Sequence, residues 1–203
     1  MFTSNPFHEL VGVISPLAMQ IYVIAMVLLV AGGTVLDMIH KKSAQYFFEN
    51  AEKAKAAAVK PVSSTKKVGI AVQTIAVDVL TSGEFCNQKR RLSHLLTMYG
   101  FILFAATTAI MIFGYMDTAT PVILPLLWHL GALMLCGGGY WFWFAIRVDV
   151  AAEGNPWYRV KLADLFILSL LATATFALIW SFFEAVGAGV LSTLFFALFI
   201  LSS

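Results

Sequence analysis

The sequence predicts an all-α integral membrane protein, a helical bundle with four long transmembrane helices and a probable short fifth. Of its 203 residues, 60% are hydrophobic and only 12% are charged, whereas about a quarter of the residues of an average soluble domain are charged. The mean hydropathy is +0.85. The apolar residues also gather into runs of about 20, the length that an α-helix needs to cross a bilayer.

The predicted spans are separated by polar or charged residues, and the whole chain, 1–203, is treated as a single transmembrane domain. The last apolar run, 186–201, holds Gly187 and Gly189 and is short for a span. It either crosses as a thin fifth helix or lies tilted against the bundle. No basic stretch precedes the first run, so we expect that run to be retained rather than removed as a signal peptide. The four long spans cover residues 15–39, 92–115, 121–146 and 162–183.

The segment 41–91 is predicted to be a basic cytoplasmic loop with a surface helix and an amphipathic stretch. Residues 43–58 are rich in Ala, Lys and Glu, and 61–67 have the composition of a connector. Residues 69–82 are too short to span and are interrupted by Gln73 and Asp78. We expect this stretch to lie at the membrane surface or against a partner.

The cations set the predicted orientation. All thirteen Lys and Arg residues fall within 41–91 and 147–161, which share one side of the membrane if the four spans alternate. The positive-inside rule places that side in the cytoplasm. We therefore predict a multi-pass protein of the cytoplasmic (inner) membrane with its N-terminus outside. The basic loop is expected to dock a soluble partner, with binding to lipid headgroups as the alternative.

Two histidines, His94 and His129, lie inside predicted spans. An ionisable residue within a membrane helix is a functional-site hypothesis by default, and neutral imidazole is a common axial ligand of haem iron. At ~1.5 Å of rise per residue, His94 lies about 14 Å to the basic side of the midplane and His129 about 6 Å to the other side. Two ligands of one iron share a depth, so we predict separate haem sites.

The second axial ligands remain open at this point. His40 ends the first span on the same side as His94, so these two form a plausible pair. For His129, Met111 has a similar depth and His8 lies on the same side but further out. Each histidine also has an ordinary interpretation: an interfacial side chain for His94, a hydrogen bond between helices for His129, a solvated helix end for His40 and a loop residue for His8.

Two further residue types bear on a cofactor. Gly100 and the run 137–139 lie within about two turns of the histidines, where a missing side chain lets a porphyrin approach the backbone. Small residues equally serve close helix–helix contact. The only cysteines are Cys86 and Cys136, so any iron–sulfur centre belongs to a partner.

Part of the chain resembles the membrane cytochrome b subunits related to the nitrate reductase gamma chain. The residues that carry the resemblance are Asp78-Val-Leu-Thr, Phe85-Cys86, Arg91-Leu-Ser-His94-Leu-Leu and Tyr99-Gly100-Phe101, followed by Leu126-Leu-Trp-His129-Leu-Gly131-Ala132 and Asp164-Leu165-Phe166. The chain looks closest to the membrane part of the quinone-interacting membrane-bound oxidoreductase complex and to subunits of heterodisulfide-reductase-like complexes. The resemblance covers roughly residues 77–183, about half the chain.

The resemblance implies a subunit with one or two haem b groups that passes electrons between the quinone pool and soluble iron–sulfur or flavin subunits on the cytoplasmic side. His94 and His129 match the haem histidines of that family. Such a chain is an electron-transfer subunit of a membrane oxidoreductase rather than an enzyme on its own, and it has no nucleic-acid partner. Candidates for the proton chemistry of a quinone are Asp37, Asp164, Lys89 and Arg91 on the basic side, and Tyr115, Asp117 and Glu184 on the other.

Two other functions compete with this interpretation. The first is a cofactor-free anchor subunit of a larger membrane complex, in which the histidines have structural roles. The second is a small transporter, which is less favoured because the sequence shows no internal repeat.

Overall fold

The predicted all-helical class is confirmed by a computed structural model, which describes residues 2–57, 63–85, 87–149 and 154–203. Two short 3₁₀ turns, Glu9–Gly12 and Leu162–Asp164, and two π-helical turns, Ile75–Val79 and Phe142–Ile146, adjoin the α-helices. The described residues form seven α-helices: α1 (Pro16–His40), α2 (Ser43–Ala56), α3 (Ser64–Thr74), α4 (Gln88–Gly114), α5 (Ile123–Trp141), α6 (Leu165–Ala185) and α7 (Gly189–Ser202).

Four helical segments are long and apolar enough to cross a membrane, so the chain is a multi-pass membrane protein. They are Pro16–His40, Gln88–Gly114, Ile123–Ile146 and Leu162–Ala185, and each overlaps a predicted span. Helix α7 has 14 residues, about 21 Å at ~1.5 Å per residue, whereas the hydrocarbon layer is about 30 Å thick. It packs along α6.

Helix α4 begins at Gln88, four residues before the predicted start of the second span. Asn87 caps it, because its side-chain oxygen accepts hydrogen bonds from the backbone N–H groups of Lys89 (2.9 Å) and Arg90 (3.4 Å). The span predicted from hydropathy alone began after the three cations Lys89, Arg90 and Arg91. In the structure they occupy the first turn of the helix, where long side chains can extend towards water.

The central pair of the bundle is α4 and α5, which run antiparallel and meet backbone to backbone. A Cβ atom added at Gly100 would lie 2.5 Å from the Leu135 nitrogen, and one at Gly131 would lie 2.6 Å from the Phe104 nitrogen. The Ser93 hydroxyl also donates a hydrogen bond of 2.8 Å to the Gly138 carbonyl. At Gly100 and Gly138, therefore, the missing side chains admit the neighbouring helix, and the porphyrin interpretation of these glycines has no support.

The bundle has two distinct ends. The first, which we call the basic end, carries the C-terminal end of α1, the start of α4, the residues after α5 and the start of α6. The second, the opposite end, carries the N-terminal segment and the turn between α4 and α5. There the Asn5 side chain donates hydrogen bonds to the Tyr115 carbonyl and to Thr120, and Phe7 is fully buried against Trp128 and Trp180.

Helix α1 joins the bundle through its first third only. Met19 is buried, and the Gln20 amide donates a hydrogen bond of 3.4 Å to the Ile112 carbonyl of α4. From residue 27 to residue 40 every side chain of α1 is exposed. The described part of the chain therefore leaves the last half of this helix uncovered on all sides.

Candidate functional site

His129 lies in the middle of the packed core, and both of its ring nitrogens have partners. Its Nδ1 is 2.7 Å from the carbonyl oxygen of Pro125, one turn earlier in α5. A carbonyl can only accept, so Nδ1 carries the proton and Nε2 accepts a hydrogen bond of 2.7 Å from the Ser181 hydroxyl of α6. The side chain is 1% exposed. His129 is therefore a neutral link between α5 and α6.

The surroundings of His129 do not fit a haem. Ser181 stands where an iron would bind Nε2, and the rings of Phe2 and Trp128 pack edge-on against the imidazole at 5.0 and 4.8 Å. Met111 is fully buried in the apolar core on α4, whereas Nε2 faces α6. Met111, a predicted second ligand for the iron at His129, therefore does not face the Nε2 atom of His129.

His94 lies near the basic end, on the exposed side of α4. Its Nδ1 is 3.1 Å from the Ser82 hydroxyl, and the ring of Phe85 packs against it at 5.0 Å. Ser82 is buried and adopts a positive φ of 51°, so the turn before α4 is tightly bent. This arrangement fixes the imidazole through Nδ1 and directs Nε2 away from the turn.

The turn that holds His94 is fastened to α4 by two further side chains. The Arg91 Nε donates a hydrogen bond of 2.7 Å to the Thr81 carbonyl, and the Tyr99 hydroxyl donates one of 2.7 Å to the Leu80 carbonyl. Arg91, a predicted quinone candidate, therefore has a structural partner.

The other two histidines do not join either site. His40 lies in the uncovered last half of α1, and its side chain is exposed. His8 belongs to the N-terminal segment, where its Nδ1 donates a hydrogen bond of 2.8 Å to the Met116 carbonyl. Neither histidine supplies a second ligand for His94 or His129 in this arrangement.

His94 and His129 lie at well-separated levels of the bundle. Trp128, the neighbour of His129, donates a hydrogen bond of 2.8 Å to Thr108 on α4. The distance along α4 from residue 94 to residue 108 is about 21 Å at ~1.5 Å per residue. These two histidines therefore cannot ligate one iron, which agrees with the depths inferred from the sequence.

Arg147 is a buried charged residue with several partners at the basic end, and no site role was predicted for it from the sequence. Its side chain is 1% exposed and stacks over Trp143 at 4.2 Å. It donates hydrogen bonds to the carbonyls of Pro156 (2.9 Å) and Arg159 (2.7 Å) and pairs with the Asp164 carboxylate. Asp164, a predicted quinone candidate, is thus half of an ion pair that fastens the segment before α6.

Two more quinone candidates have partners close in sequence. Asp37 forms an exposed ion pair of 2.9 Å with Lys41, one turn later, and Glu184 accepts a hydrogen bond from Ser192 of α7. Glu184 and Ser181 also line an open cleft of about 430 Å³ at the opposite end. A second cleft, of about 330 Å³, lies at the basic end and includes Lys89.

Ser181 and Arg147 are the residues that sequence reasoning missed. Ser181 is one of several small polar residues in an otherwise apolar helix, and nothing in the sequence marks it as the partner of His129. Arg147 lies three residues after the aromatic run 141–144 and one turn after Trp143, and an arginine at that place is a signal for a buried cation–π contact. Within the described ranges, no group of three or more His, Cys, Asp or Glu side chains is arranged to hold a metal ion.

Comparisons with protein-family models, with curated proteins and with solved structures found no match to this chain.

Proposed function

We propose that this chain is a membrane anchor subunit of a larger complex, has no cofactor of its own, and holds a soluble partner at the cytoplasmic face. The observation that carries the proposal is the distribution of exposed apolar side chains on α2 and α3, the two helices of the basic loop.

The orientation follows from the cations. All thirteen Lys and Arg residues belong to 41–91 and 147–161, and the antiparallel order of α4, α5 and α6 brings these segments to the basic end. The positive-inside rule makes that end cytoplasmic. The membrane is then the cytoplasmic (inner) membrane, and the N-terminus is outside.

The uncovered surface is most evident on α2. Tyr46, Phe47 and Phe48 are 61%, 68% and 64% exposed. Successive helical residues are about 100° apart, so these three rings spread over about 200° of the helix circumference. A lipid surface can bury only one side of a helix that lies on it. The rings on the remaining side need a protein partner.

Helix α3 shows the same distribution. Val68 and Val72 share a face because they are one turn apart, whereas Ile70 points to the other side. All three are more than half exposed, at 63%, 60% and 51%. Both helices of the basic loop are therefore apolar on more sides than a membrane surface can cover.

The filled core supports the absence of a resident cofactor. Both ring nitrogens of His129 form hydrogen bonds within the protein. At Gly100 and Gly131 the backbones of α4 and α5 are so close that a porphyrin has no room between them. An anchor subunit needs only the packed helices.

Photo-cross-linking in native membranes tests the anchor proposal. A photoreactive residue at Phe48 or at Ile70 should capture one and the same soluble subunit, and the matched control at Leu29, 69% exposed on α1 within its span, should capture lipid. Cys86, a convenient attachment point in the same loop, lies outside the described residues. Lipid adducts alone at all three positions would contradict the proposal.

A second candidate is electron transfer through haem b, and the geometry of His94 favours it. The Ser82 hydroxyl fixes Nδ1, which is how protein groups commonly orient a ligating histidine, and the ring is exposed. In this function His94 would supply one axial ligand of the haem, and the second ligand would be a residue that does not contact His94 in the structure. Electrons would pass through the haem between quinone and soluble iron–sulfur or flavin subunits. Haem would supply one-electron chemistry that the chain's own residues lack.

A reduced-minus-oxidised absorption spectrum of the purified protein separates the two candidates. The anchor function predicts no haem bands. The electron-transfer function predicts bands that His94→Ala removes. The two separate haem sites expected from the sequence would instead require that His94→Ala and His129→Ala each lose one spectral component and keep the other.

A further inference from the structure

The basic loop combines exposed lysines with the exposed apolar side chains of α2 and α3. Its described residues from 42 to 57 and from 63 to 74 include five lysines and two glutamates, so this part of the loop has a net charge of +3. The lysines are all exposed: Lys42, Lys53, Lys55, Lys66 and Lys67. One of the glutamates, Glu49, accepts a hydrogen bond of 2.8 Å from the Gln45 side chain. The loop therefore presents a surface that is both positive and partly apolar.

Helix α3 has two different faces. Successive residues of an α-helix are about 100° apart, so Val68, Val72 and Ile75 fall within about 60° of the circumference, and all three are more than half exposed. Lys66 and Ile70 are about 40° apart on the opposite side of the helix. A helix that lies on a membrane buries its more apolar face in the lipid. On a helix placed in this way, Lys66 and Ile70 point away from the membrane, where lipid headgroups do not reach.

Helix α2 repeats this arrangement. Phe47, Ala51 and Ala54 lie within about 60° and form an apolar face, on which Phe47 is 68% exposed. Tyr46 and Lys53 are about 20° apart, and both are about 120° from the middle of that face. Tyr46 is itself 61% exposed. With the apolar face against the lipid, Tyr46 and Lys53 are directed away from the membrane.

The side that points away from the lipid thus carries one large exposed side chain beside a lysine on each helix. The rise along the axis is about 6 Å from Lys66 to Ile70 and about 10 Å from Tyr46 to Lys53. Among the residues that the structure describes, neither Lys53 nor Lys66 forms an ion pair. A protein that buries Tyr46 and Ile70 must therefore also lie against two ammonium groups. Cations on that protein would be repelled, whereas carboxylates are attracted and favour the encounter.

We propose that the soluble partner docks on this side of α2 and α3 through an acidic surface. Two apolar pockets of the partner receive Tyr46 and Ile70, and carboxylates around these pockets pair with Lys53 and Lys66. This docking rests on the anchor function proposed above, to which it adds the chemistry of the partner and the side of each helix that the partner contacts. Anionic lipid headgroups also attract lysines, but they would require the lysine side of α3, rather than Val68, to face the membrane.

Photo-cross-linking along α3 in native membranes tests which side meets the partner. A photoreactive residue at Ile70 should capture the soluble subunit, whereas one at Val72, on the opposite face, should capture lipid. The segment of the subunit captured at Ile70, sequenced by mass spectrometry, should contain more Asp and Glu than Lys and Arg. A captured segment with an excess of Lys and Arg would overturn the proposal, and so would lipid at Ile70 together with the subunit at Val72.

Lys53→Gln with Lys66→Gln measures what the charges contribute. At low ionic strength the yield of the subunit captured at Ile70 should fall about fivefold, since two exposed ion pairs together contribute about 1 kcal/mol. In about 1 M KCl, where the Debye length is about 3 Å, the wild-type protein and the variant should give equal yields. The matched control is Lys89→Gln with Arg159→Gln, which removes two exposed cations of the basic end outside α2 and α3. It should keep the wild-type yield at low ionic strength.

The two proposals fail in different ways. Lipid as the sole adduct at every position would contradict the anchor function and remove the acidic docking with it. A soluble subunit captured with the same yield by the wild-type protein, by Lys53→Gln with Lys66→Gln and by the control at low ionic strength would leave the anchor function standing and overturn the acidic docking alone.

Discussion

At the scale of single residues, buried polar side chains connect the helices of this protein. His129 joins α5 to α6 through Ser181, and Arg147 joins the end of α5 to the segment before α6. Water cannot replace the lost partner in either connection, because the side chains of His129 and Arg147 are only 1% exposed. Loss of either partner leaves the other with an unsatisfied buried group.

Ser181→Ala should destabilise the bundle by about 1 kcal/mol, since hydrogen bonds between membrane helices contribute on average about 0.6 and at most about 1.7 kcal/mol. The variant leaves Nε2 of His129 without its donor. Reversible unfolding in mixed micelles measures the change in free energy. Ser169→Ala, on the exposed face of the same helix, is the control and should be nearly neutral.

A double-mutant cycle distinguishes a direct link from independent effects. If His129 and Ser181 stabilise the fold through their shared hydrogen bond, the losses in His129→Leu and Ser181→Ala are not additive in the double variant. Additive losses would show that the bond contributes nothing and would remove the structural role that we assign to His129.

Arg147→Lys should loosen the segment before α6 despite keeping the charge. A lysine ammonium is a point donor and cannot reproduce the planar fork that reaches the Pro156 and Arg159 carbonyls together. We expect a loss of about 3 kcal/mol, because hydrogen bonds from charged groups contribute about 1.5 to 3 kcal/mol each. Limited proteolysis between residues 154 and 164 should become faster. Exposed Arg159 provides the control, Arg159→Lys, and equal cleavage of both variants would contradict the assignment.

The partners of buried polar side chains such as His129 could not be predicted from the sequence. His129 was singled out because it is ionisable and lies in an apolar run, and its burial agrees with that choice. Its partner was not foreseen because Ser181 is 52 positions away, and the rotation of α6 about its axis decides which side chain faces α5. A helix that is apolar on all sides carries no periodic signal from which that rotation can be inferred.

At the scale of elements, the contact between α4 and α5 depends on glycines at particular positions. Gly100→Ala should destabilise the pair by about 1 to 3 kcal/mol, because its Cβ would meet the Leu135 backbone nitrogen at 2.5 Å and the helices must separate. The matched control is Gly137→Ala on α5, where a Cβ meets nothing within 4 Å. Alanine there should stabilise the helix by up to about 1 kcal/mol. A scan of thermal unfolding for both variants gives the comparison, and similar transition temperatures would refute the close contact.

The existence of the long helices could be predicted from hydropathy, but their boundaries could not. The start of α4 depends on the cap supplied by Asn87, a polar residue outside the apolar run. The π-turn at Phe142–Ile146 was also not foreseen, because its five residues are as apolar and aromatic as those of the preceding helix. Local hydrogen bonding and packing, rather than composition, determine these features.

At the scale of the whole molecule, the segregation of cations predicts the topology. A reporter inserted within α2 should be cytoplasmic, and one inserted at residues 117–119 should be outside. Cysteine labelling with a membrane-impermeant reagent in intact cells provides an independent reading of the same two positions. If both reporters lie on the same side of the membrane, the alternating arrangement of α1, α4, α5 and α6 is wrong.

The π-turn at the end of α5 also gives this helix an unequal response to the loss and to the gain of one residue. Each residue added to or removed from an α-helix turns everything after it by about 100°. A π-turn, however, holds one residue more than an α-turn, so deleting one residue from 142–146 should give a regular α-helix and keep Arg147 directed at the carbonyls of Pro156 and Arg159. The loss of one codon other than that of Trp143 should therefore be tolerated in this stretch, whereas the gain of one would turn Arg147 away and disconnect α5 from α6.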